Sequence, residues 1–182
     1  MSKTGRIEVV CGSMFSGKSE ELLRRLKRAR IAKKKYQLFK PSVDNRYSDT
    51  EVVSHSGDRL ECQVLQNALQ ISDFLEDDVE IVAFDEAQFF DTTLVTTAIS
   101  LADMGKRVII AGLDMDSRGT PFGPMPHLLA VAEEVLKLTA VCEVCGEPAT
   151  HTYRITEEDK EQVLVGAGDH YQARCRDHWS AR

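Results

Sequence analysis

At 182 residues the chain is long enough for one ordinary domain, or one domain with a small appendage. Apolar residues make up 42% and charged residues 29%, the balance of a soluble globular protein, and no run of 18 apolar residues is present to cross a membrane. The net charge of −6 argues against nucleic acid as the main partner, because duplex binding calls for a basic footprint.

The opening "MSKTGRIEVVCGS" has neither an apolar signal core nor a small-residue cleavage site, so a cytoplasmic protein is expected. Five cysteines in such a chain do not suggest a disulfide framework. "RIEVVC" (Arg6 to Cys11) is short, apolar and rich in β-branched residues, and predicts a buried strand. A glycine-bearing loop follows, then "SEELLRRLKRARIAKK", a helix with Glu20 and Glu21 in its first turn. The basic stretch from Arg24 to Lys35 reads as a solvated helix face over an apolar stripe of Leu22, Leu26 and Ala29, with a subunit contact as the alternative. "YQLFKP" predicts a second strand, ended by Pro41. The polar, turn-rich "SVDNRYSDTEVVSHSGDRL" predicts a loop with little regular structure.

Further along, "NALQISDFLED" predicts a short amphipathic helix, and "VEIVAFDE" a strand that delivers two carboxylates to its C-terminal edge. "TTLVTTAISLADMG" is a helix closed by Gly105, and "KRVIIAGLD" another buried strand. The proline- and glycine-rich "MDSRGTPFGPMP" is a loop, and "HLLAVAEEVLKL" a helix running into a last strand. Continuous apolar strands alternating with helices imply an α/β fold, a parallel sheet covered on both faces. The composition changes near residue 139, which divides the chain into an α/β domain (1–138) and a small C-terminal lobe (139–182).

"GSMFSGKS" matches G-x-x-x-x-G-K-[ST]: Gly12, Gly17, Lys18 and Ser19 fill the fixed positions, and Ser13, Met14, Phe15 and Ser16 the loop between. Consecutive backbone N–H groups can converge on a polyphosphate only where no Cβ intrudes, and the helix beginning there adds the positive end of its dipole. Lys18 supplies a compact cation for the β and γ oxygens of ATP, and Ser19 a hydroxyl for Mg²⁺. "IVAFDEAQFF" places Asp85 and Glu86 at a strand end: Asp85 to hold Mg²⁺, Glu86 to serve as a general base. Together the two motifs imply nucleotide binding and phosphoryl chemistry without choosing between water and an organic hydroxyl as acceptor.

Cys142-x-x-Cys145 and Cys175-x-x-His178 are paired ligand sets with 29 residues between them. Four borderline-soft ligands without a carboxylate suit tetrahedral, structural Zn²⁺, which would staple a lobe too small to hold its own core. His151 and His170 are competing ligands, though His178 alone completes a paired spacing; both read better as polar surface histidines. Cys11 reads as core. The lobe's long insert, acidic in the middle and glycine-bearing near its end, looks more like a flap over a small molecule than a nucleic-acid platform.

The ordered set "GSMFSGKS", "DNRYS", "DEAQFF", "GLDMDSRGTPFG", C-x-x-C and "VGAGDHYQARCRDH" closely resembles the thymidine kinases of the cytosolic type (type II) shared by bacteria and animals, over roughly residues 5–178. The resemblance implies a P-loop NTPase-type fold, ATP with Mg²⁺ as donor, and the 5′-hydroxyl of thymidine as acceptor. It implies Glu86 as the base facing that oxygen, with Asp44 and Arg46 of "DNRYS" approaching the phosphates. It also implies a thymine pocket lined by Met14, Phe89, Leu113, Phe122, Thr152, Leu164, Gly166 and Tyr171, partly through flap backbone groups. A homotetramer and feedback inhibition by dTTP are further implications. Two departures stand out: Ser117 where bacterial relatives commonly carry an aromatic residue, implying a looser base-pocket wall, and His178 where cysteine is frequent. The competing reading is a P-loop ATPase whose zinc-ribbon lobe grips a macromolecule.

Overall fold

The computed structural model describes residues 5–42, 51–53, 59–155 and 170–180. In chain order the main body runs β1 (Arg6–Gly12), α1 (Lys18–Ile31), β2 (Tyr36–Pro41), β3 (Glu51–Val53), β4 (Arg59–Glu61), β5 (Gln63–Leu65), α2 (Ile71–Phe74), β6 (Ile81–Phe84), α3 (Thr93–Asp103), β7 (Arg107–Gly112), α4 (Met125–Val131) and β8 (Glu134–Leu138). Six of these strands form one sheet in the order β5-β2-β6-β7-β1-β8, every neighbouring pair parallel. The continuous apolar strands are explained by burial on both faces. Ile7, Val9 and Cys11 of β1, Val82 and Phe84 of β6, and Val108 and Ile110 of β7 face the layer that includes α3 and α4. The alternate residues Val10, Ile81, Ala83, Ile109 and Ala111 meet Leu22, Leu23, Leu26 and Ala29 of α1 on the other face. Among the described residues, no helix is long and apolar enough to cross a membrane.

The structure departs from the sequence reading in four places. The polar stretch after Pro41 is not irregular throughout: β3 and β4 pair antiparallel, and Val52 and Leu60 join the core beneath α1. The rest of that stretch, with Asp44 and Arg46, lies outside the described residues. Strand β5, at the sheet edge, is only three residues long and carries no apolar run to announce it. The apolar strand β1 also contains a fully buried carboxylate, Glu8, and the basic face of α1 is not wholly solvated, since Arg25 is buried against it. Arg25 Nη1 lies 2.5 Å from Glu8 Oε2, and the Arg107 guanidinium clasps the same carboxylate through Nε (2.6 Å) and Nη2 (2.8 Å). Burial pushes the Glu8 carboxyl up, but Arg107, Arg6 and Arg25 outweigh it and hold it below the ordinary carboxylate range. Removing one partner of such a cluster costs about 3–5 kcal/mol, because the others are left buried and uncompensated.

Beyond Leu138 the chain forms four short strands: β9 (Ala140–Val141), β10 (Pro148–Ala149), β11 (His151–Arg154) and β12 (Tyr171–Arg174). Antiparallel pairing joins β9 to β10 and β11 to β12. Their core is a cluster of Ala140, Cys142, Ala149 and Ala173, against which Phe15 of the phosphate loop packs. This lobe is thus seated on the motif loop rather than held at a distance.

Candidate active site

The phosphate loop leaves β1 at Gly12, whose φ of +144° no other residue adopts easily. A Cβ there would lie 2.4 Å from the carbonyl oxygen of Leu138 on β8, so the loop's tight seat on its neighbouring strand requires glycine. Phe15 also has a positive φ, +64°, and Gly17 (+84°) turns the chain into α1. Within the loop the Ser16 hydroxyl donates to Ser13 O at 2.8 Å, and Lys18 Nζ donates to the same oxygen at 2.7 Å, so the lysine arches over the cradle. Ser19, in the first turn of α1, donates its hydroxyl to Asp85 Oδ2 at 3.0 Å.

That last contact crosses the sheet. Strands β1 and β6 are separated by β7, yet their C-terminal ends bring the loop and the carboxylate pair together, at the edge where ligands of parallel α/β sheets bind. Asp85 is buried, and its Oδ1 also accepts from the Glu86 backbone N–H at 3.0 Å. Glu86 sits at φ +49°, ψ +42°, a left-handed conformation uncommon for glutamate that turns its carboxylate sharply out of the strand line. The side chain is then held from the far side: Gln88 Nε2 donates to Glu86 Oε2 at 2.5 Å. The Gln88 carbonyl accepts from the backbone N–H of Leu113 at 2.9 Å, which settles the orientation of its amide. Gln88 is 2% exposed, so this bridge between the ends of β6 and β7 is buried at its middle.

The expected pocket residues fall into two groups, each with contacts of its own. Leu113 and Phe122 are buried at the two ends of the loop after β7, and Phe89 meets Phe122 edge to face with ring centroids 5.7 Å apart. On the lobe side, Thr152 of β11 is buried, and its hydroxyl accepts from the Met14 backbone N–H at 3.1 Å. The Ser13 hydroxyl reaches Ala149 O at 3.4 Å. Tyr171 is buried on β12, paired with Arg154 of β11. Leu164 and Gly166 lie outside the described residues.

The cysteines and histidine of the two ligand pairs converge. Their ligand atoms lie within 4.8 Å of one another. Cys145 Sγ and Cys175 Sγ are 3.7 Å apart, Cys175 Sγ and His178 Nδ1 3.2 Å, and Cys142 Sγ and His178 Nδ1 3.8 Å. A tetrahedron with Zn–S bonds of about 2.3 Å has edges of about 3.8 Å, so the donor set and its spacing fit zinc. Burial raises the Cys142 thiol, but backbone N–H groups of Cys175, Val144 and Cys145 outweigh it and lower it. The Glu147 backbone N–H lowers the neighbouring Cys145 thiol, but burial and the nearby sulfurs of Cys142 and Cys175 outweigh it and raise it.

A family profile described as thymidine kinase matches residues 5–179. The chain belongs to the thymidine kinase family. A thymidine kinase from Rhodothermus sp. (strain ITI 518) is 54% identical over 172 residues, covering 94% of this chain and 80% of that relative. Among solved structures, domain III of the replication initiation protein DnaA from Thermotoga maritima matches 74% of this chain and 55% of its own at 15% identity and a TM-score of 0.44, too distant a likeness to bear on function.

Two buried residues escaped the sequence reading. Gln88 stands inside the quoted "DEAQFF" but shows its importance only through partners at positions 86 and 113. His151 reads as a surface histidine, yet it is 4% exposed and stacked on Trp179, with ring centroids 4.4 Å apart. It does not join the group of three cysteines and His178 that could hold a metal.

Proposed function

We propose that this kinase transfers the γ-phosphoryl group of ATP to the 5′-hydroxyl of thymidine, with Glu86 as the general base. The observation that carries the reading is the chain of contacts from Ser19 through Asp85 to Glu86, which sets a held carboxylate beside a phosphate cradle. The backbone amides of the loop and Lys18 would neutralise the triphosphate, the lysine leaving Ser13 O for the β and γ oxygens. Ser19 and Asp85 offer the hard oxygen ligands that suit Mg²⁺, an ion that offsets charge on the phosphates when bound. Glu86 takes the proton of the 5′-hydroxyl, the freed oxygen attacks the γ phosphorus, and ADP departs. Gln88 holds the Glu86 carboxylate in line for that transfer.

The base lies against Phe89, Phe122 and Leu113 on one side, with Met14, Thr152 and Tyr171 bringing the lobe to the other. Leu164, Gly166, Asp44 and Arg46 keep the roles that family resemblance gives them. Zn²⁺ at Cys142, Cys145, Cys175 and His178 is structural, since all four positions are filled by protein. The enzyme acts in the cytoplasm as a homotetramer. dTTP, which presents both thymine and a triphosphate, inhibits it by occupying both halves of the site. Family membership favours this reading over a zinc-ribbon ATPase.

The test is ADP release with and without thymidine. Release depends on the nucleoside, and Glu86→Gln lowers turnover by about 10²–10⁴-fold, the usual range for a general base, while ATP still binds. Nucleoside-independent hydrolysis, or near-normal turnover in the variant, would overturn the assignment.

A further inference from the structure

The chain has a single tryptophan, Trp179, directly after the metal ligand His178. Among the described residues its indole meets Ser117, His151 and Gly119. The Nε1–H donates to Ser117 O at 3.3 Å. The ring stacks on His151 at an interplanar angle of 27°. Its edge lies over Gly119, where φ is +75° and a Cβ would stand 2.6 Å from Cη2, so only glycine admits the ring.

What the indole covers is the tip of the loop between β7 and α4. That loop is tightly self-bonded. The Asp116 carboxylate accepts from the backbone N–H groups of Arg118 and Thr120, both at 2.9 Å. The Asp116 N–H donates to Thr120 O, and the Phe122 N–H to Asp114 O. Met115 and Pro121 form a bridge across it. A loop braced in this way moves as one piece, and Leu113 and Phe122 stand at its two roots. Stacked on the indole, His151 opens β11, and its neighbour Thr152 takes the Met14 N–H. One ring therefore joins the loop tip to the lobe strand that is bonded to the phosphate loop.

We propose that Trp179 is a positioning residue for the nucleoside: it fixes the 113–123 loop against the zinc lobe, and so sets the gap between the Leu113 and Phe122 wall and the lobe side of the base pocket. The inference rests on the assignment of Leu113 and Phe122 to that pocket. The backbone carbonyl of Ser117, not its hydroxyl, takes part, so the small side chain at 117 is compatible with the clamp.

The experiment compares Trp179→Phe, Trp179→Ala and Phe122→Ala in the zinc-loaded enzyme. Separate KM values for thymidine and ATP, zinc content and circular dichroism are measured for each. Trp179→Phe keeps a stacking ring and loses the indole donor, so the thymidine KM rises about five-fold, the worth of one neutral hydrogen bond. Trp179→Ala loses the stack as well, and the rise reaches roughly 10- to 50-fold. In both, the ATP KM stays within about two-fold and zinc content is unchanged. Should Trp179→Ala not fold, the thymidine-only effect of Trp179→Phe decides. A thymidine KM unmoved by either Trp179 change while Phe122→Ala raises it overturns the clamp alone. Equal rises for both substrates, or loss of zinc, also overturn it by making Trp179 a general brace. If Phe122→Ala itself leaves the thymidine KM unchanged, the pocket assignment fails and the clamp falls with it.

Discussion

Replacing Gln88 by methionine tests the bridge beneath the proposed base. Methionine matches glutamine in length and nearly in volume, so no large cavity opens and the polar contacts are what is lost. The first consequence is for stability. The Leu113 N–H, in a residue 8% exposed, loses its acceptor, and a buried orphan donor costs about 1–3 kcal/mol. Taking ~2 kcal/mol, a protein of this size loses about 4–8 °C in Tm. The second consequence is for catalysis. A hydrogen bond to a charged group is worth about 1.5–3 kcal/mol, and if all of it serves to aim the Glu86 carboxylate, turnover falls roughly 10- to 150-fold. Gln88→Glu separates the two effects. At acid pH, where the buried carboxyl is protonated, it still accepts from Leu113 N–H and donates to Glu86, so the Tm stays near that of the parent; above that range its ionisation beside Glu86 lowers the Tm. Two carboxylates then share the space, and the acidic limb of the kcat/KM profile moves to higher pH. Thermal unfolding and a pH-rate profile from about pH 5 to 9 make the comparison. A methionine variant as stable and as active as the parent, or a glutamate variant with an unmoved acidic limb, would refute the reasoning.

Cys142→Ser opens the metal cluster, so zinc content falls and thymidine affinity drops by more than ATP affinity; equal losses in calorimetric titrations would place the lobe's role elsewhere. In acid, Glu21 is held down to about 2, chiefly by its hydrogen bond to Arg24, and Glu8 is also held below its ordinary value. Both carboxyls are lower in the folded chain, so the stability they supply is complete above about pH 4.5 and is lost as pH falls, for Glu21 down to about 2. Urea midpoints across that window fall for the parent and fall less steeply for Glu21→Gln, whereas parallel curves would exclude Glu21 as a contributor. With Ser117 in the loop after β7, deoxyuridine and thymidine are phosphorylated with kcat/KM values within about 10–200-fold of each other, the range one methyl group can decide in an apolar pocket; a nucleoside panel measures it.

Where chemistry demands a particular residue locally, the chain was readable. The Gly12 to Ser19 cradle is written in adjacent positions because backbone amides can converge only through a particular run of φ angles. The long strands β1, β6 and β7 announce themselves by burial on both faces. Other features depend on partners distant in the chain. Glu8 looks out of place in an apolar strand until Arg25 and Arg107 arrive from α1 and β7. Gln88 gains its meaning from position 113, and His151 is buried by a tryptophan 28 positions away. The strands β5 and β9 to β12 have two to four residues each, too few for a period to show. The β3 and β4 pair hides in a polar stretch, where Val52 and Leu60 reach the core without a longer apolar run to announce them.

The placement of β1 between β7 and β8 has a consequence for biosynthesis. The motif loop leaves the ribosome early, but the strands that flank it are residues 107–112 and 134–138, and Gly12 lies opposite Leu138 itself. At ~5–20 residues per second, roughly 6–25 s of translation separate the making of the cradle from the arrival of its floor. During the first part of that interval α1 can coil locally, but the apolar residues of β1 have no lateral neighbour until β7 is made, and one side of β1 stays open until β8 follows. A nascent chain of this kinase therefore needs shelter for its first strand until the last strand of its large sheet has emerged.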